Sequence, residues 1–243
     1  MATRFPLASR ALVLILSGAL GCGGDLLLPD PPGGGENVVL SKVDGDNQEG
    51  IVGEPLQKPL IVKVLTAREL PATGREVEFV FTSAAGEVTP ARVVTNSEGQ
   101  ATANWVLGTV PGLQTVAARL VVADTTEPQA EEFTAQAKPA APDTLSAKSP
   151  TSQPGRRNHK VNSQPVVQVV DRFGNPVPQV TVAWQVTVGQ GEVSEAITLT
   201  KDDGTTTVEW TLGNRSGLQR LTATVGPGPV TGSPLTFTAT VLF

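Results

Sequence analysis

Gly99-Gln100-Ala101-Thr102-Ala103-Asn104-Trp105-Val106-Leu107-Gly108 decides the fold, because it returns as Gly204-Thr205-Thr206-Thr207-Val208-Glu209-Trp210-Thr211-Leu212-Gly213. In the first copy Ala103, Trp105 and Leu107 alternate with Thr102 and Asn104, and in the second Val208, Trp210 and Leu212 keep the same phase. That period of two marks a strand with one buried face. The offset, 204 − 99 = 105, holds without a gap from Leu40/Leu145 through Pro71/Pro176, Val77/Val182 and Gly86/Gly191 to Gly112/Gly217, Gln114/Gln219 and Ala118/Ala223. One deletion later, Phe133-Thr134-Ala135 meets Phe237-Thr238-Ala239. A repeat of this length is a whole domain, so the chain holds two copies of one small fold.

Working outward, the same alternation appears in Val77, Phe79, Phe81 and in Val116, Ala118, Leu120. Pro59 to Leu65 and Phe133 to Ala135 supply further strands of the first copy. The second copy carries the longest run, Val180, Val182, Trp184, Val186, Val188 against Thr181, Ala183, Gln185, Thr187, followed by Leu221, Ala223, Val225. Breaks fall at Ala72-Thr73-Gly74, Ala85-Gly86, Ser97-Glu98-Gly99 and Pro111-Gly112, each suited to a turn. With 25 Gly, 20 Pro and only 17% charged residues, and with no helical stripe, the composition favours short strands joined by turns. The expected fold class is all-β: two tandem β-sandwiches, residues 37–137 and 142–243, joined by the short proline-rich Ala137-Lys138-Pro139-Ala140-Ala141-Pro142.

A family resemblance rests on Gly45-Asp46-Asn47-Gln48, Gly50, Val52-Gly53, Leu56, Pro59-Leu60, Val77, Phe79, Gly86, Gly99, Ala101, Trp105, Leu107-Gly108, Gly112 and Gln114. This distributed pattern resembles the bacterial immunoglobulin-like domain of the intimin/invasin type. The resemblance implies an immunoglobulin-like sandwich that serves as a stiff spacer or in adhesion. Thr66-Ala67-Arg68-Glu69-Leu70-Pro71 departs from the family's Asp and Gly turn, so that loop is expected to change shape; Asp171-Arg172-Phe173-Gly174-Asn175-Pro176 restores the turn in the second copy. Neither a β-barrel anchor nor a lectin-like tip is apparent, and the last strand runs to Phe243 with no effector domain expected beyond it.

The N-terminus reads differently. Met1 to Arg10 carries two arginines and no acid, Ala11 to Leu16 is apolar, and Ala19-Leu20-Gly21-Cys22 follows. This is the layout of an export signal, with an apolar run too short to cross a bilayer. Its end resembles a bacterial lipobox, with Ala and Leu at positions where the commonest form has Leu and a small residue. The resemblance implies a signal peptide over residues 1–21 and acylation of Cys22, the single cysteine. Residues 22–36 hold this cysteine and a Gly/Pro tether that, from Gly23 to Glu36, reaches at most about 45 Å. Resemblance to Gram-negative lipoproteins further implies sorting by the residue after the cysteine, and Gly23, in place of a retention aspartate, then implies the outer membrane. Without Arg4 and Arg10 the chain holds 16 basic against 23 acidic residues, net −7, which disfavours nucleic acid as a partner.

Chemistry is sparse. The one histidine, His159, lies in Arg156-Arg157-Asn158-His159-Lys160 with no nucleophile motif beside it, so no catalytic residue and no enzyme activity are expected. The basic run reads either as a solvated strand edge or as a contact for anionic lipopolysaccharide or acidic glycans. Asp44, Asp46 and Glu49 begin like a calcium loop, but Glu49 stands at the required glycine and Pro55 at the bidentate glutamate, so no metal and no cofactor are expected. Trp105, Trp184, Trp210, Phe79, Phe81 and Phe237 fall on inward phases and are assigned to the core. Phe173, Gly174 and Asn175, at a turn tip, form the candidate ligand-facing loop. The sequence thus suggests a monomeric, non-catalytic envelope lipoprotein held at the membrane by its lipid. Its Ig-like domains would serve in adhesion, surface interaction or spacing, with a glycan- or protein-binding module as the alternative.

Overall fold

The computed structural model describes residues 38–83, 86–122 and 129–242. The export signal, Cys22 and the tether lie outside the described residues. In chain order the first sandwich contains β1 (Val38–Asp44), β2 (Gln48–Ile51), β3 (Leu60–Thr66), β4 (Glu76–Ser83), β5 (Glu87–Thr89), β6 (Arg92–Val94), β7 (Gln100–Val106), β8 (Gly112–Leu120) and β9 (Ala130–Lys138). The second contains β10 (Pro142–Ala147), β11 (Ser152–Gly155), β12 (Val166–Asp171), β13 (Thr181–Val188), β14 (Glu192–Val193), β15 (Ile197–Leu199), β16 (Thr205–Thr207), β17 (Trp210–Thr211), β18 (Gly217–Val225) and β19 (Leu235–Val241).

A four-stranded sheet, β1-β3-β7-β5, faces a five-stranded one, β2-β9-β8-β4-β6. Between them lie Leu60, Val62, Val64, Val77, Phe79, Trp105, Val116, Leu120 and Phe133, all buried. The second sandwich repeats the five-stranded sheet as β11-β19-β18-β13-β15, over a separate core of Val167, Val169, Val182, Trp184, Trp210, Leu221 and Phe237. Its smaller sheet is split into β10-β12-β16 and β14-β17. The cause is Pro165, which stands where the first copy has Leu60 paired with Ala103. Proline has no amide to donate, and the backbone contact there is a long one, Val208 N–H to the Pro165 carbonyl at 3.4 Å, beside a Thr207 hydroxyl bond to the same carbonyl at 2.8 Å.

Two expectations need correction. Val188 does not continue the buried run: a register shift between Val186 and Val188 turns it outward, to 40% exposure. The Thr66–Pro71 loop keeps the shape of its counterpart. Thr66 N–H donates to the Leu70 carbonyl at 2.9 Å, as Asp171 N–H donates to the Asn175 carbonyl at 2.9 Å. Thr66 Oγ1 accepts from Arg68 and Leu70 N–H at 3.4 and 3.3 Å, where Asp171 Oδ1 accepts from Phe173 and Asn175 N–H at 2.9 Å. Glu69 is held at φ +61°, the place Gly174 fills at +85°. Glu69→Gly should therefore raise the stability of the first sandwich by about 1 kcal/mol, read as a higher urea midpoint; a lower midpoint would refute this account.

Candidate functional site

The Asp171–Asn175 turn is closed by hydrogen bonds that converge on one carboxylate. Asp171 is 2% exposed, and its carboxylate accepts four hydrogen bonds at 2.9 Å. Oδ1 takes the N–H groups of Phe173 and Asn175, and Oδ2 takes Ala140 N–H and the Asn175 carboxamide. Burial alone would raise its pKa. The bonds from the Asn175 side chain and from the Ala140, Asn175 and Phe173 amides outweigh that cost and hold the carboxyl below its ordinary range.

The turn faces the first sandwich. Asn175 Nδ2 donates to the Thr109 carbonyl at 2.8 Å, and Arg172 Nη2 lies 4.0 Å from Glu54 Oε1. Phe173 lies over Gly53 (φ +71°) so closely that a β-carbon there would stand 2.6 Å from Phe173 Cζ. Ala140, in the linker, is buried and donates to Asp171. The loop expected to present Phe173, Gly174 and Asn175 to a ligand is therefore a joint between the two sandwiches. Phe173 keeps 39% of its surface exposed, and Gly174 serves the backbone by holding φ +85°, although a β-carbon there would meet nothing within 4 Å.

The other clusters have local explanations. Trp105, Trp184 and Trp210 are 1%, 3% and 0% exposed, which places all three indoles in the cores. Phe81 is half-buried and meets Trp105 edge-on, with ring centroids 6.5 Å apart. The acidic residues near the start each hold a lysine: Asp44 pairs with Lys58, Asp46 with Lys42 and Glu49 with Lys138. Asp46 Oδ1 also accepts Thr134 N–H at 2.9 Å, tying the Asp44–Asn47 turn to β9. Burial pushes the Asp46 pKa up, but hydrogen bonds from Lys42, Thr134 and Asn47 bring it below its usual value. Among the described residues no group of three or more His, Cys, Asp or Glu could hold a metal ion.

Arg156, Arg157, Asn158, His159 and Lys160 are all exposed beside β11, and all but Asn158 line a groove of about 890 Å³ that also touches Leu242. His159 Nδ1 donates to the Arg157 carbonyl at 2.7 Å, and Lys160 Nζ donates to Glu209 at 2.6 Å.

Gln114 and Gln219, which the sequence shows only as a repeated pair, are buried at 1% and 0%. Gln219 accepts Gly213 N–H at 2.8 Å and donates to the Gly213 and Arg215 carbonyls; Gln114 does the same for Gly108 and Val110. Each glutamine closes the loop before β8 or β18, which shapes one end of its sandwich.

No family model matches this chain, and no curated protein matches it. Solved structures do. The Escherichia coli adhesin FdeC is 16% identical over 83% of this chain and 63% of its own, with a TM-score of 0.49. The D00-D0 domain of intimin is 15% identical over 85% of this chain and 100% of its own, with a TM-score of 0.43. Yersinia pseudotuberculosis InvD is 17% identical over 84% and 57%, with a TM-score of 0.48. At those identities no residue role carries across.

Proposed function

We propose that this chain is a non-catalytic lipoprotein of the cell envelope whose paired immunoglobulin-like sandwiches act as a stiff spacer in adhesion or surface interaction. The observation that carries this reading is the joint. A buried carboxylate, Asp171, ties the linker amide of Ala140 to the turn whose Asn175 grips Thr109 on the first sandwich. Such a network fixes one sandwich against the next, which is what a spacer needs and what two freely hinged binding modules do not need. The lipobox-like Ala19-Leu20-Gly21-Cys22 supports a lipid anchor at Cys22, and several acyl chains on one residue would hold the protein at a membrane without a span. Gly23 supports the outer membrane as its place.

Metabolic labelling with a fatty acid tests the anchor. The parent should incorporate label and pellet with membranes, whereas Cys22→Ser should lose the label entirely. Protease added to intact cells then tests display: digestion supports a surface role, and protection until lysis would overturn it in favour of a periplasmic binding module.

A further inference from the structure

The second sandwich repeats the face by which the first receives its neighbour. In the first, Gly53 N–H donates to the Gly108 carbonyl and Leu107 N–H to the Glu54 carbonyl; in the second, Asn158 N–H donates to the Gly213 carbonyl and Leu212 N–H to the His159 carbonyl. The backbone therefore places Asn158 where Gly53 stands and His159 where Glu54 stands. Pairing of Gly217 with Val241, and of Pro142 with Asp171, sets this face at the opposite end of the sandwich from the joint.

The side chains have been exchanged for others of opposite use. Gly53 leaves room for the Phe173 ring, whereas Asn158, at φ +58°, fills that room with a carboxamide. Glu54 stands near Arg172, whereas His159 is flanked by Arg156, Arg157 and Lys160. Another turn of the Arg172–Phe173 kind would meet bulk where it needs a gap and positive charge where it needs a carboxylate. Arg156 and Arg157 are exposed, and among the described residues neither guanidinium makes a hydrogen bond or ion pair. The cluster also stands apart from the chain's overall charge. Residues 142–243 hold eight Lys and Arg against seven Asp and Glu, 8 − 7 = +1, while residues 37–141 hold eight against thirteen, 8 − 13 = −5.

We propose that this end of the second sandwich binds an acidic polysaccharide. The guanidinium groups of Arg156 and Arg157 take its carboxylate or sulfate groups in paired hydrogen bonds. Asn158 and Asn214, which line an adjoining groove, offer carboxamides to its hydroxyls. Leu242 is the one large apolar side chain lining the two grooves' outer surface, at 71% exposure, so the aromatic and aliphatic anchors of a protein interface are missing among the described residues there. This deepens the surface-interaction reading and rests on it only for where the sugar is met; binding in solution is independent of the lipid anchor.

The test is titration of the full chain with polygalacturonate, which carries carboxylates, and with dextran sulfate, with neutral dextran and poly-L-glutamate as references. At least one acidic sugar should bind, neutral dextran should not, and affinity should fall steeply with salt. Arg156→Ala/Arg157→Ala should weaken binding by about tenfold or more with an unchanged thermal midpoint, and Arg157→Gln alone should give a smaller loss. Lys63→Ala/Arg68→Ala, on the first sandwich, should change affinity less than about twofold. The proposal is overturned if the parent binds neither acidic sugar, if the tip and control variants lose affinity equally, or if poly-L-glutamate binds as tightly as the sugars.

Discussion

Asp171→Ala should destabilise the second sandwich by about 3 kcal/mol and loosen its joint with the first. Four donors converge on this one side chain at 2.9 Å, and the alanine variant leaves all of them without their acceptor. The Ala140 amide suffers most, because Ala140 is itself 7% exposed and water cannot readily take the place of the carboxylate. Phe173 and Asn175 lie nearer solvent and recover part of their loss, which keeps the total well short of four full desolvation penalties. Asp171→Asn should cost less, since one oxygen remains, yet its NH2 then faces donors and cannot accept from them.

The pH dependence separates this mechanism from a simple packing defect. The Asp171 carboxyl is held below the ordinary value of about 3.9, so on acidification the unfolded chain takes up its proton before the folded one does. The stabilisation is thus complete above about pH 4 and is lost as pH falls through the lowered folded-state value. Urea unfolding of parent and Asp171→Ala should show the full gap at pH 7 and a smaller one near pH 3. A gap of the same size at both would mean that charge has no part in it. Amide exchange at Ala140 should quicken in the variant, as the linker is released.

The strands and the core were legible because a sheet with one buried face writes its burial directly into alternate residues. Trp105, Trp184 and Trp210 could be assigned to the interior from phase alone, and each is 3% exposed or less. Phase fails where the backbone inserts a residue, as between Val186 and Val188, because the hydrophobic pattern continues after the register has slipped. It also says nothing about turn shape: Thr66 and Asp171 both bring an oxygen to the same two amides, so different residues close the same loop. The joint was invisible for another reason. Asn175 and Thr109 are 66 residues apart, and contacts between loop ends carry no period. What could have exposed it is a comparison of the copies at Gly53/Asn158 and Glu54/His159, where conserved strand phase is accompanied by reversed size and charge.

Trp210→Ala should cost the second sandwich about 4 kcal/mol, the largest loss expected from a single core substitution here. The indole is fully buried and packed so closely that a β-carbon at Gly191 would lie 3.3 Å from its Nε1. Yet that Nε1 has no hydrogen-bond partner, and Trp105 repeats the situation in the first sandwich. The ring is therefore kept for its volume, against the cost of an unpaired donor. Trp210→Phe removes some of that volume and the orphaned N–H together, so its cost should be only about 1–2 kcal/mol. Trp184 supplies the contrast, since its Nε1 donates to Thr198 Oγ1 at 2.8 Å and phenylalanine there forfeits both packing and a satisfied bond. Urea unfolding should accordingly rank Trp184→Phe as more damaging than Trp210→Phe, although Trp184 is the less buried ring. The reverse order would show that Trp210 Nε1 finds an acceptor in solution, and the two repeated indoles would then be polar as well as steric elements of their cores.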